Sequence, residues 1–389
     1  MRLAVAGGCA LGFAAGWNIS NTGAVADALS VEYGISLAVV GLFTTALFVV
    51  HLVMQIPAGR LSDRFGARRI GFVGLAVLAL ANGAAMIAPE TGLALGARML
   101  CGVGLALSFL AGSDYVRASS GSPFAQGLYG GAALLGGGVA IAVVPAVEDW
   151  VGWRSPFLTA LAVAALAAVA LAAGPADAAS RERRAGVDGS ARAMFSDAGL
   201  LRLAAVFAAS FGLSVVMGNW AVELIDRHGA VGEAAAGAIG ALTLLLGMVT
   251  RPLGGWIVRA HPAHTRAAVA VSLAAGAAGA LAMAVANGPA VAVIGACLIG
   301  LAGGIPFSPA FTGAARTRPE APATAVGFVN GFAALTIVVG TPLLGLSFSL
   351  PSDGRLGFAA VGVLWAAALL ALPSAGELGV TPAAALESR

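Results

Sequence analysis

Lysine is absent from the sequence, and charge of any kind is scarce, with 10% of the residues charged. Soluble proteins carry about 25% charged residues, so a chain of this length has too few to cover a surface exposed to water. Hydrophobic residues make up 59%, and the mean hydropathy is +0.93. The composition excludes an ordinary soluble enzyme, a disordered chain and a nucleic-acid-binding protein. It predicts a polytopic membrane protein.

Residues that carry chemistry are also few. Cys9, Cys101 and Cys297 lie in apolar runs, where a thiol behaves as a small core side chain, and their spacing forms no disulfide framework, zinc motif or redox pair. The four histidines are scattered, and no phosphate-binding Gly-Lys loop is present. We therefore expect no cofactor, no metal and no enzymatic activity. Any energy source must be a gradient.

Apolar runs bounded by charged or turn residues divide the chain into twelve segments, each near the ~20 residues that a transmembrane helix needs. They fall at about 3–28, 36–58, 70–88, 92–116, 123–147, 153–173, 200–225, 233–258, 267–287, 289–314, 322–349 and 355–373. A β-barrel would show short alternating segments instead. The predicted fold class is an all-α membrane protein with twelve transmembrane helices.

The arginines indicate the orientation of these spans. With the N-terminus inside, 16 of the 21 arginines fall in cytoplasmic segments, three in outer segments (Arg154, Arg227 and Arg355) and two within spans (Arg98 and Arg251). Cytoplasmic loops of membrane proteins carry such an excess of positive charge. The sequence predicts a multi-pass protein of the cell (plasma or inner) membrane with both termini in the cytoplasm.

Two segments six spans apart resemble each other. Gln55-Ile-Pro-Ala-Gly59 and Arg251-Pro-Leu-Gly-Gly255 both have a polar residue four positions before a glycine, with a proline between. The longest polar stretch, from Gly174 to Gly199, separates the two sets of six spans. We predict two related six-helix halves, with the substrate near the bilayer midplane between them. The domains are an N-terminal half at 1–174, a cytoplasmic linker at 175–199, a C-terminal half at 200–373 and a cytoplasmic tail at 374–389.

The loop after the second span reads Gly59-x-Leu61-x-Asp63-Arg64-x-Gly66-x-Arg68-Arg69 and resembles the signature loop of the major facilitator superfamily. Arg98 followed by Gly102 and Gly104 resembles its second motif, and 152–157 is similar to its usual entry to the sixth span. An aspartate in this loop can hold an arginine or cap the N-terminus of a facing helix. The resemblance implies a secondary transporter with a conformational latch. The latch residues are Gly59, Asp63, Arg64, Gly66, Arg68 and Arg98.

Arg251 lies about seven residues, or ~10 Å, inside the cytoplasmic end of its span. An ionised group at that depth costs several kcal/mol, so it usually faces a cavity or a partner. Its guanidinium can grip a carboxylate or a small oxyanion with two hydrogen bonds; a structural ion pair or a carbonyl clamp is the alternative. The Arg-Pro-x-Gly-Gly context is similar to the nitrate/nitrite porter-like branch, in which arginines from the second and eighth spans face each other. Here the second-span position holds Gln55.

In the second span, Thr44, Phe48, His51 and Gln55 share one helix face. His51 either couples protons to transport or is a neutral histidine hydrogen-bonded between helices. Phe307 and Phe311 are expected to pack rather than to line a site. The candidate substrate-binding residues are Arg251, Gln55, His51, Asn18, Asn21, Phe48, Tyr129, Asn219 and Asn330.

The sequence therefore predicts a secondary active transporter that moves a small anionic solute by alternating access. The solute is an inorganic oxyanion such as nitrate or nitrite, or a small organic acid. A proton-coupled drug or metabolite exporter is the first alternative, although Asp27 and Asp114 lie near span ends rather than deep in a span. A membrane sensor or a non-transporting subunit is the second, and it would carry a sizeable soluble domain. We expect a monomer whose partners are its solute and the lipid bilayer.

Overall fold

The computed structural model describes residues 2–176, 191–228 and 231–380. Most of the predicted linker and most of the predicted tail therefore lie outside the described residues. The regular structure of the described ranges is helical. The helices are α1 Arg2–Ser20, α2 Ala26–Tyr33, α3 Leu37–Phe65, α4 Ala67–Ala85, α5 Thr91–Ser120, α6 Pro123–Val151, α7 Ser155–Ala172, α8 Ala191–Met194, α9 Ala198–Phe207, α10 Leu213–His228, α11 Glu233–Ala260, α12 Thr265–Ala284, α13 Pro289–Gly304, α14 Phe307–Thr317, α15 Pro322–Leu346 and α16 Arg355–Ala367.

Ten helical stretches of the described chain are long and apolar enough to cross a membrane. One of them, Pro123–Ala172, has 50 residues and contains the 3₁₀ turn Gly152–Arg154. A further apolar stretch, Arg355–Ala371, is shorter than these ten. An all-helical, multi-pass membrane protein is thus confirmed, whereas the count of twelve spans stays a prediction.

The ends of several helices follow local signals in the sequence. Gly66 separates α3 from α4 with a φ of +93°, a conformation that a side chain would strain. The Asp197 side chain caps α9 by accepting a hydrogen bond from the backbone N–H of Leu200 at 3.1 Å. These two residues keep α4 and α9 as separate helices with defined starts.

The chain divides into two compact units. The first comprises Met1–Gly121, Ala132–Gly189 and Glu320–Gly327, and the second comprises Ser122–Gly131, Ser190–Pro319 and Phe328–Arg389. The first turns of α15 therefore pack within the first unit, and the first turns of α6 pack within the second.

In the first unit, α3 and the start of α15 approach at two glycines. A Cβ on Gly59 would lie 2.6 Å from both the Ala323 carbonyl oxygen and the Thr324 Cα. A Cβ on Gly327 would likewise collide with the Gln55 carbonyl oxygen. Small residues allow this backbone contact between membrane helices, where lipid gives no hydrophobic drive to association.

The second unit repeats this arrangement between α11 and the start of α6. A Cβ on Gly255 would lie 2.8 Å from the Phe124 Cα, and one on Gly127 would collide with the Arg251 carbonyl oxygen. Gln55 and Gly59 of the first unit thus occupy the positions that Arg251 and Gly255 occupy in the second. The weak repeat in the sequence has a structural counterpart at this contact.

Candidate binding site around Arg251

Arg251 lies on α11, nine residues before the helix ends at Ala260, which places its Cα about 14 Å inside that end. The residue is only 2% exposed. A charged side chain at this depth needs compensation from its surroundings. The contacts of its guanidinium therefore decide what the site can do.

Two phenylalanine rings lie against the guanidinium. Its Cζ atom is 4.5 Å from the ring centroid of Phe211 and 4.4 Å from that of Phe307. A desolvated cation–π contact contributes about 2 kcal/mol. The two rings therefore offset part of the cost of burying the charge, and they shield the guanidinium from solvent.

Both rings come from places where a helix is interrupted. Phe211 lies in the π-helical segment Ala208–Gly212, which joins α9 to α10. Phe307 is the first residue of α14, directly after the break that follows Gly304 at the end of α13. π-helical insertions often occur at functional sites, and these two interruptions lie beside the same buried arginine.

The hydrogen bonds of Arg251 leave one edge of the guanidinium open. Nη1 donates to the Gly130 carbonyl oxygen at 2.8 Å, whereas the buried Nε and Nη2 have no partner. Nε–H and Nη2–H share one edge of the planar group, which matches the two oxygens of a carboxylate. Leaving a buried donor unpaired costs about 1–3 kcal/mol, and more on a charged group. An oxyanion at this edge would satisfy both donors.

In the parts of the chain that the structure describes, no carboxylate forms an ion pair with Arg251. The sequence left two structural roles open for Arg251, an ion pair or a carbonyl clamp. The ion pair is not seen in the described residues, and the clamp consists of the single hydrogen bond to the Gly130 carbonyl oxygen. Gly130 makes room for this arrangement, since a Cβ there would lie 2.7 Å from Cδ1 and Cζ of Phe307. Tyr129 is fully buried, with its ring 6.5 Å from that of Phe307.

In the first unit, Phe48, His51 and Gln55 are neighbours on α3, as their spacing predicts. Gln55 Nε2 lies 2.7 Å from His51 Nε2 and donates to the His51 carbonyl oxygen at 3.2 Å. The His51 ring packs edge-on against Phe48 and Phe109, with centroids 6.2 and 6.4 Å away. His51 Nδ1 is buried and has no hydrogen-bond partner.

Asn18 and Asn21 are fully buried in a network around Arg98. Arg98 donates to the Phe43 and Asn18 carbonyl oxygens at 3.3 and 2.8 Å and to Asn21 Oδ1 at 3.3 Å. The amide of Asn18 donates to the Ala14 carbonyl oxygen at 2.9 Å, and that of Asn21 donates to the Pro156 carbonyl oxygen at 2.9 Å. These bonds tie α1, α3, α5 and α7 together, so both asparagines are engaged in holding helices.

The two remaining candidate asparagines lie on α10 and α15. Asn219 on α10 is an exposed neighbour of Thr341 and donates to its hydroxyl at 3.2 Å. Asn330 is buried on α15 with 4% exposure.

The predicted latch loop makes a carboxylate cap on α15. Asp63 Oδ1 accepts the backbone N–H of Ala323 at 3.0 Å, and Oδ2 accepts the N–H and the hydroxyl of Thr324 at 2.8 and 2.6 Å. A negative charge at a helix N-terminus also meets the positive end of the helix dipole. Gly59 lies one turn earlier on α3 and allows the two backbones to meet.

The arginines of this loop have other contacts. Arg64 and Arg69 both lie over the Phe65 ring, 5.2 and 5.8 Å from its centroid. Arg68 donates to the carbonyl oxygens of Leu171 and Ala172 at 3.3 and 2.8 Å and so joins α4 to the end of α7. Arg98 belongs to the asparagine network, and its described hydrogen bonds go to Phe43, Asn18 and Asn21 rather than to Asp63.

Sequence reasoning missed several residues of these sites. Phe211 gave no signal, because a π-helical segment has no recognisable pattern, and Phe307 was expected only to pack. The Gly130 carbonyl is a backbone group and is invisible in composition. Asn82 donates to Asn18 Oδ1 at 2.8 Å, and its place inside an apolar run could have revealed it.

Most of the chain matches the model of one known protein family. The family model described as Major Facilitator Superfamily matches residues 8–341. The chain belongs to the major facilitator superfamily. No curated protein sequence matches it.

Solved structures of superfamily transporters share the fold. A variant of the Escherichia coli fucose:proton symporter FucP has a TM-score of 0.73 at 16% identity, over 95% of this chain and 97% of that one. The proton:xylose symporter XylE, bound to 6-bromo-6-deoxy-D-glucose, has a TM-score of 0.79 at 13% identity, over 95% and 94%. The human organic anion transporter TETRAN has a TM-score of 0.70 at 16% identity, over 95% and 98%.

Superfamily membership makes general secondary transport of a small molecule the function of this multi-pass membrane protein, rather than an enzymatic reaction. The residues that resemble the signature loop of the superfamily lie at the end of α3 and the start of α4, and Asp63 of this stretch caps α15. These neighbours are less than 25% identical to the chain, so they show the fold and leave the substrate to be argued from its own residues.

Proposed function

We propose that the protein is a secondary active transporter of a small monovalent anion, with the Arg251 guanidinium as the group that binds it. The observation that carries this proposal is the unpaired Nε–Nη2 edge of a fully buried arginine. Superfamily membership supports transport driven by a gradient and alternating access. The anion itself is argued only from Arg251.

The charge of the solute follows from electrostatics around Arg251. One guanidinium balances one negative charge, and a second charge on a buried ligand would stay uncompensated at a cost of several kcal/mol. Gln55, the counterpart of Arg251 in the first unit, is neutral. A single carboxylate, nitrate or nitrite suits this anchor better than sulfate or phosphate. Nitrate and nitrite are the solutes of the branch whose Arg-Pro-x-Gly-Gly context this chain resembles.

We further propose twelve spans with both termini in the cytoplasm. The 50-residue stretch Pro123–Ala172 would extend about 75 Å as one helix, more than twice the ~30 Å hydrocarbon core. The turn Gly152–Arg154 supports its division into two spans. Arg355–Ala371 would be the twelfth span, and the excess of arginine in the assigned inner loops supports the orientation. We also propose a monomer, because the contacts of Arg251 and those of Asp63 each lie within one unit of this chain.

The test is a thermal-shift screen of the purified protein against sodium nitrate, nitrite, formate, acetate, lactate, sulfate and phosphate at constant ionic strength. A ligand at 100 times its Kd stabilises the folded state by about 2.7 kcal/mol. We expect stabilisation by at least one monovalent oxyanion and its loss in Arg251→Gln. Arg259→Gln is the matched control, because Arg259 is an exposed arginine on the same helix.

Other outcomes would favour other functions. Stabilisation by neutral sugars or by cationic drugs, unchanged in Arg251→Gln, would contradict the anion site. Binding that depends on proton concentration but not on Arg251 would favour the proton-coupled exporter. FucP and XylE are proton symporters by name, so uptake into vesicles should be measured with and without a pH gradient.

A further inference from the structure

The pair formed by His51 and Gln55 in the first unit holds the imidazole in one protonation state. The two residues are one helical turn apart on α3, and both are buried, with 6% and 1% exposure. Gln55 Nε2 lies 2.7 Å from His51 Nε2 and 3.2 Å from the His51 carbonyl oxygen. The atom next to a carbonyl oxygen must be a donor, which identifies it as the amide nitrogen rather than the amide oxygen.

An amide nitrogen can only donate, so His51 Nε2 must accept and therefore carries no proton. A neutral imidazole with a bare Nε2 has its proton on Nδ1. His51 Nδ1 is buried and without a hydrogen-bond partner. The Gln55 contact thus leaves His51 with one unpaired N–H donor.

Aromatic rings flank His51, and among the described residues Arg98 and Asp114 of α5 have partners other than His51. Phe48 and Phe109 flank it with their rings edge-on. On α5, which packs against α3, Arg98 donates to the Phe43 carbonyl oxygen, eight residues or about 12 Å from His51 along α3. Asp114 accepts from Ser62, eleven residues or about 16 Å away in the other direction, and pairs with Arg117.

Helix packing keeps the imidazole in place. A Cβ on Gly102 of α5 would lie 2.9 Å from Val50 Cβ and 3.1 Å from the His51 backbone nitrogen. Gly102 therefore lets α5 contact the backbone of α3 at His51. Phe48 and Phe109, whose rings flank the imidazole, are only partly buried, whereas His51 is 6% exposed.

We infer that His51 is a neutral hydrogen-bond donor for an oxygen of the transported solute, and that Gln55 is the positioning residue that fixes its Nδ1–H tautomer. The solute class is then one with an acceptor oxygen, such as a carboxylate or a nitrogen oxyanion. This contact rests on the proposed function, whereas the tautomer does not. The proton-coupling role that the sequence offered for His51 is replaced by a fixed donor.

The tautomer is measured on the full-length protein labelled with ¹⁵N-histidine, because protonated and bare imidazole nitrogens have distinct ¹⁵N shifts. The His51 signals are assigned by their loss in His51→Asn. We expect a protonated Nδ1 and a bare Nε2 from pH 6 to pH 8, and a shift of the proton toward Nε2 in Gln55→Leu. Thr45→Val, an exposed change on the same helix, should leave the signals unchanged. A protonated Nε2 in the wild type, or an imidazolium in this pH range, would overturn the inference.

The ligand contact is measured by anion-dependent thermal shift with sodium nitrate and sodium acetate. Loss of a hydrogen bond to a charged acceptor weakens binding by about ten- to a hundred-fold. We expect this loss in His51→Leu, whereas His51→Asn, which keeps an N–H donor, should bind within about three-fold of wild type with an unchanged pH profile. Equal binding by His51→Leu and wild type would overturn the contact. If no anion binds the wild type, the proposed function and this contact both fail, and the ¹⁵N spectra still decide the tautomer.

Discussion

Asp63 and Thr324 are 261 positions apart, and one oxygen of the Asp63 carboxylate accepts both the backbone N–H and the hydroxyl of Thr324. The other oxygen accepts the N–H of Ala323. Asp63 and Thr324 are both buried. Helix α15 begins at Pro322, so Ala323 and Thr324 belong to its first turn. The carboxylate therefore satisfies two backbone donors of the first turn of α15, which have no partner within the helix.

We expect Asp63→Asn to destabilise the protein by about 2 kcal/mol or more. The amide loses the charge and one acceptor, and its NH₂ group faces N–H donors, where hydrogen bonds to a charged group contribute about 1.5–3 kcal/mol. The measurement is unfolding in detergent, with Thr324→Val and the double variant completing a cycle. Asp27→Asn, at an exposed position, is the control. Equal midpoints for the two asparagine variants would contradict the cap.

The aromatic contacts of Arg251 make a second prediction. We expect Phe211→Leu and Phe307→Leu each to cost about 1–2 kcal/mol more in the wild type than in an Arg251→Met background, because the cation–π contact exists only with the guanidinium. Phe207→Leu is the control, since its ring contacts the rings of Phe211 and Phe307, with centroids 5.5 and 5.8 Å away, and has no described contact with the guanidinium. Its cost should be the same in both backgrounds. If the double-mutant cycles show no coupling energy between Arg251 and either Phe211 or Phe307, the two rings only pack there and do not stabilise the guanidinium charge.

Two glycines on α3 provide a matched pair. A Cβ on Gly59 would lie 2.6 Å from the backbone of α15, whereas one on Gly41 would meet nothing within 4 Å. Gly59→Ala should therefore separate the two helices and destabilise the protein. Gly41→Ala should be neutral or stabilising by up to about 1 kcal/mol, because alanine favours a helix over glycine. Thermal unfolding of both variants checks this, and similar losses would argue against the close approach.

The general fold was accessible from the sequence because membrane insertion imposes simple rules. Apolar runs must be about as long as the bilayer is thick, and the Gly59–Arg69 loop carries a recognisable motif. Span boundaries were less accessible. α3 continues through the loop motif to Phe65, and α6 and α7 meet in a short turn at Gly152–Arg154, because a helix does not have to end where its hydrophobic run ends.

The candidate site was only partly predictable, for a physical reason. Arg251 was conspicuous because a charge deep in a span is expensive, and the His51–Gln55 pair followed from helical spacing. The phenylalanine rings on Arg251 depend on a π-helical segment and on a break between helices, and neither has a pattern in the sequence. Asn18 and Asn21 stay candidate ligand contacts, and the hydrogen bonds that join them to Arg98 and Pro156 are long-range pairings that spacing cannot reveal.

Beyond α16, residues 373–380 return across helix ends of the second unit, and we call them the C-terminal strap. Arg266 donates to the Pro373 carbonyl oxygen at 3.2 Å, and Arg316 donates to that of Gly379. Leu378 is 1% exposed. Arg202 pairs with Glu377 at 3.4 Å, but the arginine side chain of this pair is 51% exposed. Exposed pairs contribute about 0–1 kcal/mol, so backbone docking holds the strap more than this charge pair does.

Gly313→Ala should therefore release the strap, because a Cβ on Gly313 of α14 would collide with the Glu377 carbonyl oxygen. We expect amide hydrogen exchange in 374–380 to rise at least about ten-fold, which corresponds to roughly 1.4 kcal/mol of local stability. Gly376→Ala, where a Cβ would meet nothing within 4 Å, should leave exchange near the wild-type rate. Glu377→Gln should raise it by less than Gly313→Ala does. A larger effect of Glu377→Gln would mean that the charge pair, and not the close backbone contact at Gly313, fastens the strap.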